Sequence, residues 1–132
     1  MSADDQRFEK AYEIEEGAHP LAKELQVGEW LGERGYKVVF RKTHGSEGRR
    51  TSDLMVDGVP WEIKQPIGSG KCNISNQFNE AKTQCDRLIL DISKSPFDVG
   101  RIEREAHWQL SKHETFAEII LIKEGFFRKI AR

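Results

Sequence analysis

The stretch SDLMVDGVPWEIKQP, residues 52–66, restricts this chain more than any other part of it. Asp57-Gly58 between two apolar runs is a strong short-range signal for a two-residue β-hairpin. The tight turn that matches strand twist needs positive φ at both central residues, which Asp and Gly tolerate. Such a turn sets the register, with Val56 opposite Val59, Leu54 opposite Trp61 and Asp53 opposite Glu62. Side chains alternate along a strand, so Leu54, Val56, Val59, Trp61 and Ile63 share an apolar face, and Asp53, Glu62 and Lys64 emerge on the other. Directly opposed carboxylates repel. A bound cation is the simplest reason to keep them there.

The remaining periodicity surrounds this hairpin with helices and buried strands. In HPLAKELQVGEWLGERGY, residues Leu21, Leu25, Gly28 and Leu31 recur at helical spacing, with Pro20 at a permitted first-turn position and Gly35 as a C-cap. YKVVFR (36–41) reads as a strand, and the hairpin strands run near 52–57 and 59–65. After the glycine-rich loop PIGSGK (66–71), Asn73 to Asp86 places Ile74, Phe78, Ala81 and Cys85 on one helical face, with Asn73 or Ser75 as N-cap. RLILDIS (87–93) and AEIILIKE (117–124) are apolar runs of buried-strand type, Val99 to His113 is a helix through Ile102, Ala106 and Leu110, and FFRKIA adds one more strand. A hairpin followed by β-helix-β-helix-β predicts an α/β single domain with a mixed β-sheet flanked by helices. The domain is expected to span 19–132, behind an acidic leader, 1–18, that is helical or frayed.

At 132 residues the chain is long enough to bury a core. No apolar run approaches a membrane span, and the polar start MSADDQRFEK is unlike a secretory signal peptide. The formal net charge of −1 hides an asymmetry, since residues 1–16 hold six of the 22 acidic and two of the 21 basic residues. The remainder is net positive. RKTHGSEGRR (41–50) carries Arg41, Lys42, Arg49 and Arg50 against Glu47 alone, which suits a polyanionic substrate. A solvated surface loop accounts for the same residues equally well. Two cysteines, Cys72 and Cys85, are too few for a disulfide framework or a zinc site, and reduced structural thiols are expected.

The chemistry concentrates on Asp53, Glu62 and Lys64. Two carboxylates supply hard oxygen ligands that suit Mg²⁺, with Mn²⁺ or Zn²⁺ as alternatives, and the Ile63 carbonyl lies between the last two side chains. The ion would polarise a phosphate oxygen, while Lys64 orients the nucleophile or stabilises transition-state charge. Exposed acids and a neutralising lysine on a solvated sheet face are the blander account. Glu24, on the first helix, is the candidate third acid, with Glu29 as its competitor. Ser69, Lys71 and Gln77, following the active strand with Asn73 and Asn76, form a candidate phosphate-binding edge. A flexible loop with a helix cap explains these as readily. The four histidines lack zinc-ligand spacing and read as surface or structural. Trp30, Trp61 and Trp108 fall within amphipathic patterns and read as core.

With those residues in hand, the chain resembles PD-(D/E)XK nucleases, and more closely the C-terminal tRNA-nuclease domains of contact-dependent growth inhibition toxins, the CdiA C-terminal domain type. The likeness runs from about Glu24 to the end, and rests on SDLMVDGVPWEIKQPIGSGKCNISNQ (52–77), CDRLILDIS (85–93) and EIILIKEG (118–125). Ser52 stands where the superfamily pattern has proline, the least chemical member of the motif. The resemblance implies Asp53 and Glu62 as metal ligands, Lys64 as the catalytic lysine, Glu24 as the first-helix acid, and Lys71 and Gln77 as assisting residues. It further implies a toxin that cleaves tRNA in the bacterial cytoplasm after delivery as the C-terminal part of a cell-surface protein, and that a cognate immunity protein silences. A DNA endonuclease with the same metal site is the runner-up. A non-catalytic interaction module on the same fold is the third reading.

Overall fold

In the computed structural model, residues 11–42, 52–83, 85–112, 114, 116–124 and 126–131 are described, Ser52 and Asp53 by their backbone alone. Among the described residues the fold is mixed α/β, as the sequence predicts. In chain order it runs β1 (Tyr12–Ile14), α1 (Ala22–Glu33), β2 (Val38–Lys42), β3 (Ser52–Val56), β4 (Val59–Lys64), α2 (Asn73–Ala81), β5 (Arg87–Asp91), α3 (Val99–Lys112), β6 (Glu118–Lys123) and β7 (Phe126–Ala131). The chain divides into two compact units between Pro60 and Trp61, inside β4. None of the described helices is long and apolar enough to cross a membrane.

The first unit packs α1 on β1 and β2. Glu24, Val27, Gly28 and Leu31 are its buried face, a clean i, i+3, i+4, i+7 stripe. That corrects the expected stripe by one edge. Leu21 is 56% exposed because it precedes the first turn as an extended N-cap residue. Gly28 has a packing reason, since a Cβ there would stand 2.8 Å from the buried Phe40 ring. The helix ends as expected at Gly35, whose φ is +94°. The Gly35 N–H donates to the Gly32 carbonyl at 3.0 Å and the Tyr36 N–H to the Leu31 carbonyl at 3.2 Å, which is the Schellman pattern.

The acidic leader is not helical over its described part. Tyr12–Ile14 pairs in parallel with β2, and the Tyr12 ring meets Phe40 edge-on at 5.6 Å. An aromatic and a β-branched residue around one glutamate suit a half-buried strand better than a helix turn. The strand β2 runs antiparallel to β3, with Val38 opposite Val56 and Phe40 opposite Leu54, all four buried.

The predicted turn is present, with Asp57 at φ 51° and Gly58 at φ 82°. Asp57 is further tied to the start of β2. Its N–H donates to the Lys37 carbonyl at 2.8 Å, and its Oδ1 accepts the Lys37 N–H at 2.9 Å.

The second unit is a parallel run β4-β5-β6 closed by the antiparallel β7. Parallel strands are joined by crossover helices and covered on both faces, so their sequences read as unbroken apolar runs. Accordingly, Leu88, Ile89, Leu90 and Ile119, Ile120, Leu121 are all at most 1% exposed. Leu88, Leu90, Ile119 and Leu121 join Ile74, Phe78, Ala81, Ile102, Ala106 and Phe116 in one core beneath α2 and α3. The rings of Phe78 and Phe116 meet at 6.0 Å and 81°. Neither Asn73 nor Ser75 caps α2. Cys72 occupies the N-cap position without a side-chain bond, and the Ser75 hydroxyl instead donates to the Cys72 carbonyl at 3.1 Å.

Glu118 on β6 receives Arg87 Nε at 3.0 Å and Lys129 Nζ at 2.8 Å. These bonds, Lys129 first, hold its carboxyl below the ordinary glutamate value. A depressed folded-state pKa contributes stability above the unfolded value, and that contribution is lost as pH falls through the folded one. We expect Glu118→Gln to cost about 1 kcal/mol at pH 7, with the gap to wild type closing below about pH 4.5 in urea melts.

Candidate functional site

The chemistry-bearing residues of the second unit gather at the carboxyl ends of its first two parallel strands. In open α/β sheets this is where ligands bind, because loops and helix starts converge there. In the register of β4 on β5, Glu62 lies beside Leu88 and Lys64 beside Leu90. Adjacent registered residues share a face, so Glu62 and Lys64 point to the side that α2 and α3 cover. The sequence placed them on an open polar face. Instead Glu62 is 6% exposed and the Lys64 side chain 16%. The reason is α2, which the hairpin pattern alone could not locate.

Lys64 Nζ stands 3.9 Å from Glu62 Oε2 and 3.0 Å from Glu80 Oε1 on α2. Glu80 was missed by sequence reading because its role depends on where the helix docks. Gln65 Nε2 donates to Asp91 Oδ2 at 2.9 Å, and Asp91 Oδ1 accepts the Ser93 N–H at 3.1 Å and its hydroxyl at 2.6 Å. Asp91, though 7% exposed, is thereby satisfied, and it pins the residue after Lys64 to the end of β5. Aspartate in the apolar run RLILDIS was the signal that could have revealed it.

Cys85 adjoins Glu62. Its Sγ donates to the Ala81 carbonyl at 3.5 Å. Burial, then the charge of Glu62, pushes the thiol up to about 11. Cys72 is exposed and both thiols are free. Because the thiolate is the reactive form, Cys85 should alkylate at pH 8 at least about 100-fold more slowly than Cys72 in the native protein. Mass spectrometry of the labelled peptides reads this directly.

The other candidates are placed as follows. Ser69 and Lys71 are exposed on the loop before α2, and Gln77 is half-buried on that helix. Glu24, in the first unit, is 7% exposed, and its Oε1 accepts the Leu21 N–H at 2.8 Å, closing the start of α1. Glu29 is exposed on the same helix. The backbone of Asp53 pairs with Arg41 on β2, while its side chain lies outside the described residues, as do Arg49 and Arg50 entirely. Among the described residues, no three or more His, Cys, Asp or Glu side chains are grouped to hold a metal ion. Trp61 is core at 7% exposure, but Trp108 is not, at 50%. Its helix buries Ile102, Ala106, Gln109 and Leu110, which puts residue 108 on the outer face.

Residues 49–126, more than half of the chain, match the family described as the contact-dependent growth inhibition CdiA C-terminal domain. The chain belongs to that family. The matched span of this CdiA C-terminal domain contains Asp53, Glu62, Lys64, Lys71, Gln77, Glu80 and Asp91, and leaves out Glu24. The structure is similar to a solved CdiA-CT/CdiI toxin and immunity complex from Burkholderia pseudomallei, with a TM-score of 0.67 and 16% identity over 91% of this chain and 99% of that one. At that identity the likeness is one of fold. No curated protein matches the sequence.

Proposed function

We propose that this CdiA C-terminal domain is a metal-dependent ribonuclease of PD-(D/E)XK type that cleaves tRNA in the cytoplasm of a target bacterium, where a cognate immunity protein silences it. The observation that carries the reading is the Glu62-x-Lys64 pair. A buried carboxylate and a largely buried ammonium lie 3.9 Å apart at the carboxyl end of a parallel strand. Burial of both groups separates them from an ordinary solvated sheet face, where lysine merely neutralises an acid. The immunity partner is supported by the toxin and immunity complex among solved relatives of the fold.

In this reading Asp53 and Glu62 hold a divalent ion, Mg²⁺ by ligand hardness, and Glu24 is the third acid. When bound, such an ion supplies Lewis-acid polarisation of the scissile phosphate. Lys64 donates from Nζ to a non-bridging phosphate oxygen, where charge grows in the transition state. Glu80 anchors that ammonium through the 3.0 Å contact from α2. Gln65, held by Asp91, keeps the strand end in place, while Lys71, Ser69, Gln77, Arg49 and Arg50 meet the flanking backbone.

The test is cleavage of total bacterial tRNA and plasmid DNA side by side, with Mg²⁺ and with EDTA. Metal-dependent tRNA fragments with intact plasmid support the reading, plasmid cleavage alone would replace it with a DNA endonuclease, and no cleavage of either would overturn it. In the same assay Glu80→Gln is expected to lower kcat several-fold. Its effect on unfolding free energy should stay under about 1 kcal/mol, since Glu80 is 61% exposed and the pair is largely screened.

A further inference from the structure

We infer that the outer groove between α2 and α3 is a single-stranded RNA subsite, in which Trp108 stacks on a base and Arg101 and Arg104 take phosphates. The inference rests on the ribonuclease reading for the identity of its ligand. The groove has a volume of about 480 Å³ and is lined by Ser75, Arg101, Arg104, Glu105 and Trp108. The four α3 residues fall at i, i+3, i+4 and i+7, one continuous stripe opposite the buried one. Lys112 extends it by a turn, with Nζ 5.5 Å from the centre of the Trp108 ring.

The chemistry of this stripe is selective. Along the helix Arg101, Arg104 and Lys112 stand against Glu105, whose Oε2 accepts from Gln109 Nε2 at 2.7 Å, and Asp98 at the helix start, whose Oδ2 accepts the Arg101 N–H at 3.3 Å. In a chain of formal net charge −1, that is a local concentration of positive charge. Arg101 donates from Nη2 to the Lys71 carbonyl at 3.1 Å and sits over the Phe97 ring at 4.3 Å, so its guanidinium is held in place. The same bond brings the glycine-rich loop, with Lys71, to the end of the stripe. A half-exposed indole between positive charges matches the alternation of base and phosphate along an unpaired strand. A protein partner would call for a broader apolar patch, and among the described residues Trp108 is the only large apolar side chain lining this groove.

Binding of a fluorescein-labelled 12-nucleotide single-stranded oligouridylate to the full chain, followed by anisotropy in EDTA, tests this without cleavage. Trp108→Ala should weaken binding about 5- to 150-fold, the range for loss of one stacked base. Arg104→Ala should flatten the slope of log K against log salt by about 0.7. Lys94→Ala, an exposed cation outside the groove, should leave both unchanged. Binding by Trp108→Ala that equals wild type, with an unchanged KM for tRNA, would overturn the subsite while leaving the ribonuclease reading intact. Oligonucleotide binding that needs Trp108 in a protein that cuts no tRNA would sustain the subsite and sink the ribonuclease reading. If Trp108→Ala instead weakened only capture of the co-expressed immunity protein, the groove would be a protein interface and the inference wrong.

Discussion

Glu62→Gln is expected to reduce tRNA cleavage by about 10²–10³-fold through kcat while leaving the protein folded. The exchange preserves shape and removes one negative charge from a site 6% exposed. In the proposed chemistry that charge holds the divalent ion and positions the Lys64 ammonium, and both interactions strengthen as charge develops on the phosphate. Stability should not fall with activity. Keeping a carboxylate out of water is costly, and Lys64 keeps its closer partner Glu80 at 3.0 Å when Glu62 becomes an amide, so the unfolding free energy should stay within about 1 kcal/mol. Parallel thermal melts and initial-rate measurements separate the two effects. Cleavage retained within a few-fold of wild type would remove Glu62 from the catalytic machinery.

Phe78→Ala should be the most damaging packing substitution, costing about 3–5 kcal/mol. Phe78 has no exposure at all and meets Phe116 edge-on at 6.0 Å, on the inner face of a helix only nine residues long. So short a helix draws its stability from docking rather than from its own hydrogen bonds. The loss therefore extends to the groups α2 presents, Gln77 and Glu80, and through Glu80 to Lys64. Urea unfolding should show a lower midpoint, and cleavage should decline at temperatures where wild type is fully active. A midpoint unchanged within error would mean that the core tolerates the cavity by collapse.

Local signals carried most of the architecture. Asp57-Gly58 placed the turn, Gly35 placed the end of α1, and the unbroken apolar runs at Leu88 and Ile119 placed two central parallel strands, because each depends on backbone preference or on burial of neighbouring residues. What escaped depends on packing between distant segments. The strand at Tyr12–Ile14 exists because β2 offers it a parallel edge, and three residues are too few to show a period. The pairing of Lys64 with Glu80 joins residues sixteen apart. Trp108 was assigned to the core because a helical stripe was drawn through its neighbours, yet its own position lies outside that stripe. That Glu62 and Lys64 share one strand face was legible from side-chain alternation, whereas the burial of Glu62 beneath α2 was not.

The neutral thiol of Cys85 gives this protein a native gauge of its own fluctuations. Because the sulfur is half-buried, its labelling rate responds both to the small thiolate fraction and to any separation of α2 from the start of β5. Such a separation disturbs the same contacts that seat Glu62 and Lys64. Ligands that rigidify the strand ends would slow the modification in proportion to their affinity, even in a catalytically silent variant. A single half-buried cysteine thus converts occupancy of the site into a rate observable without a substrate being cut.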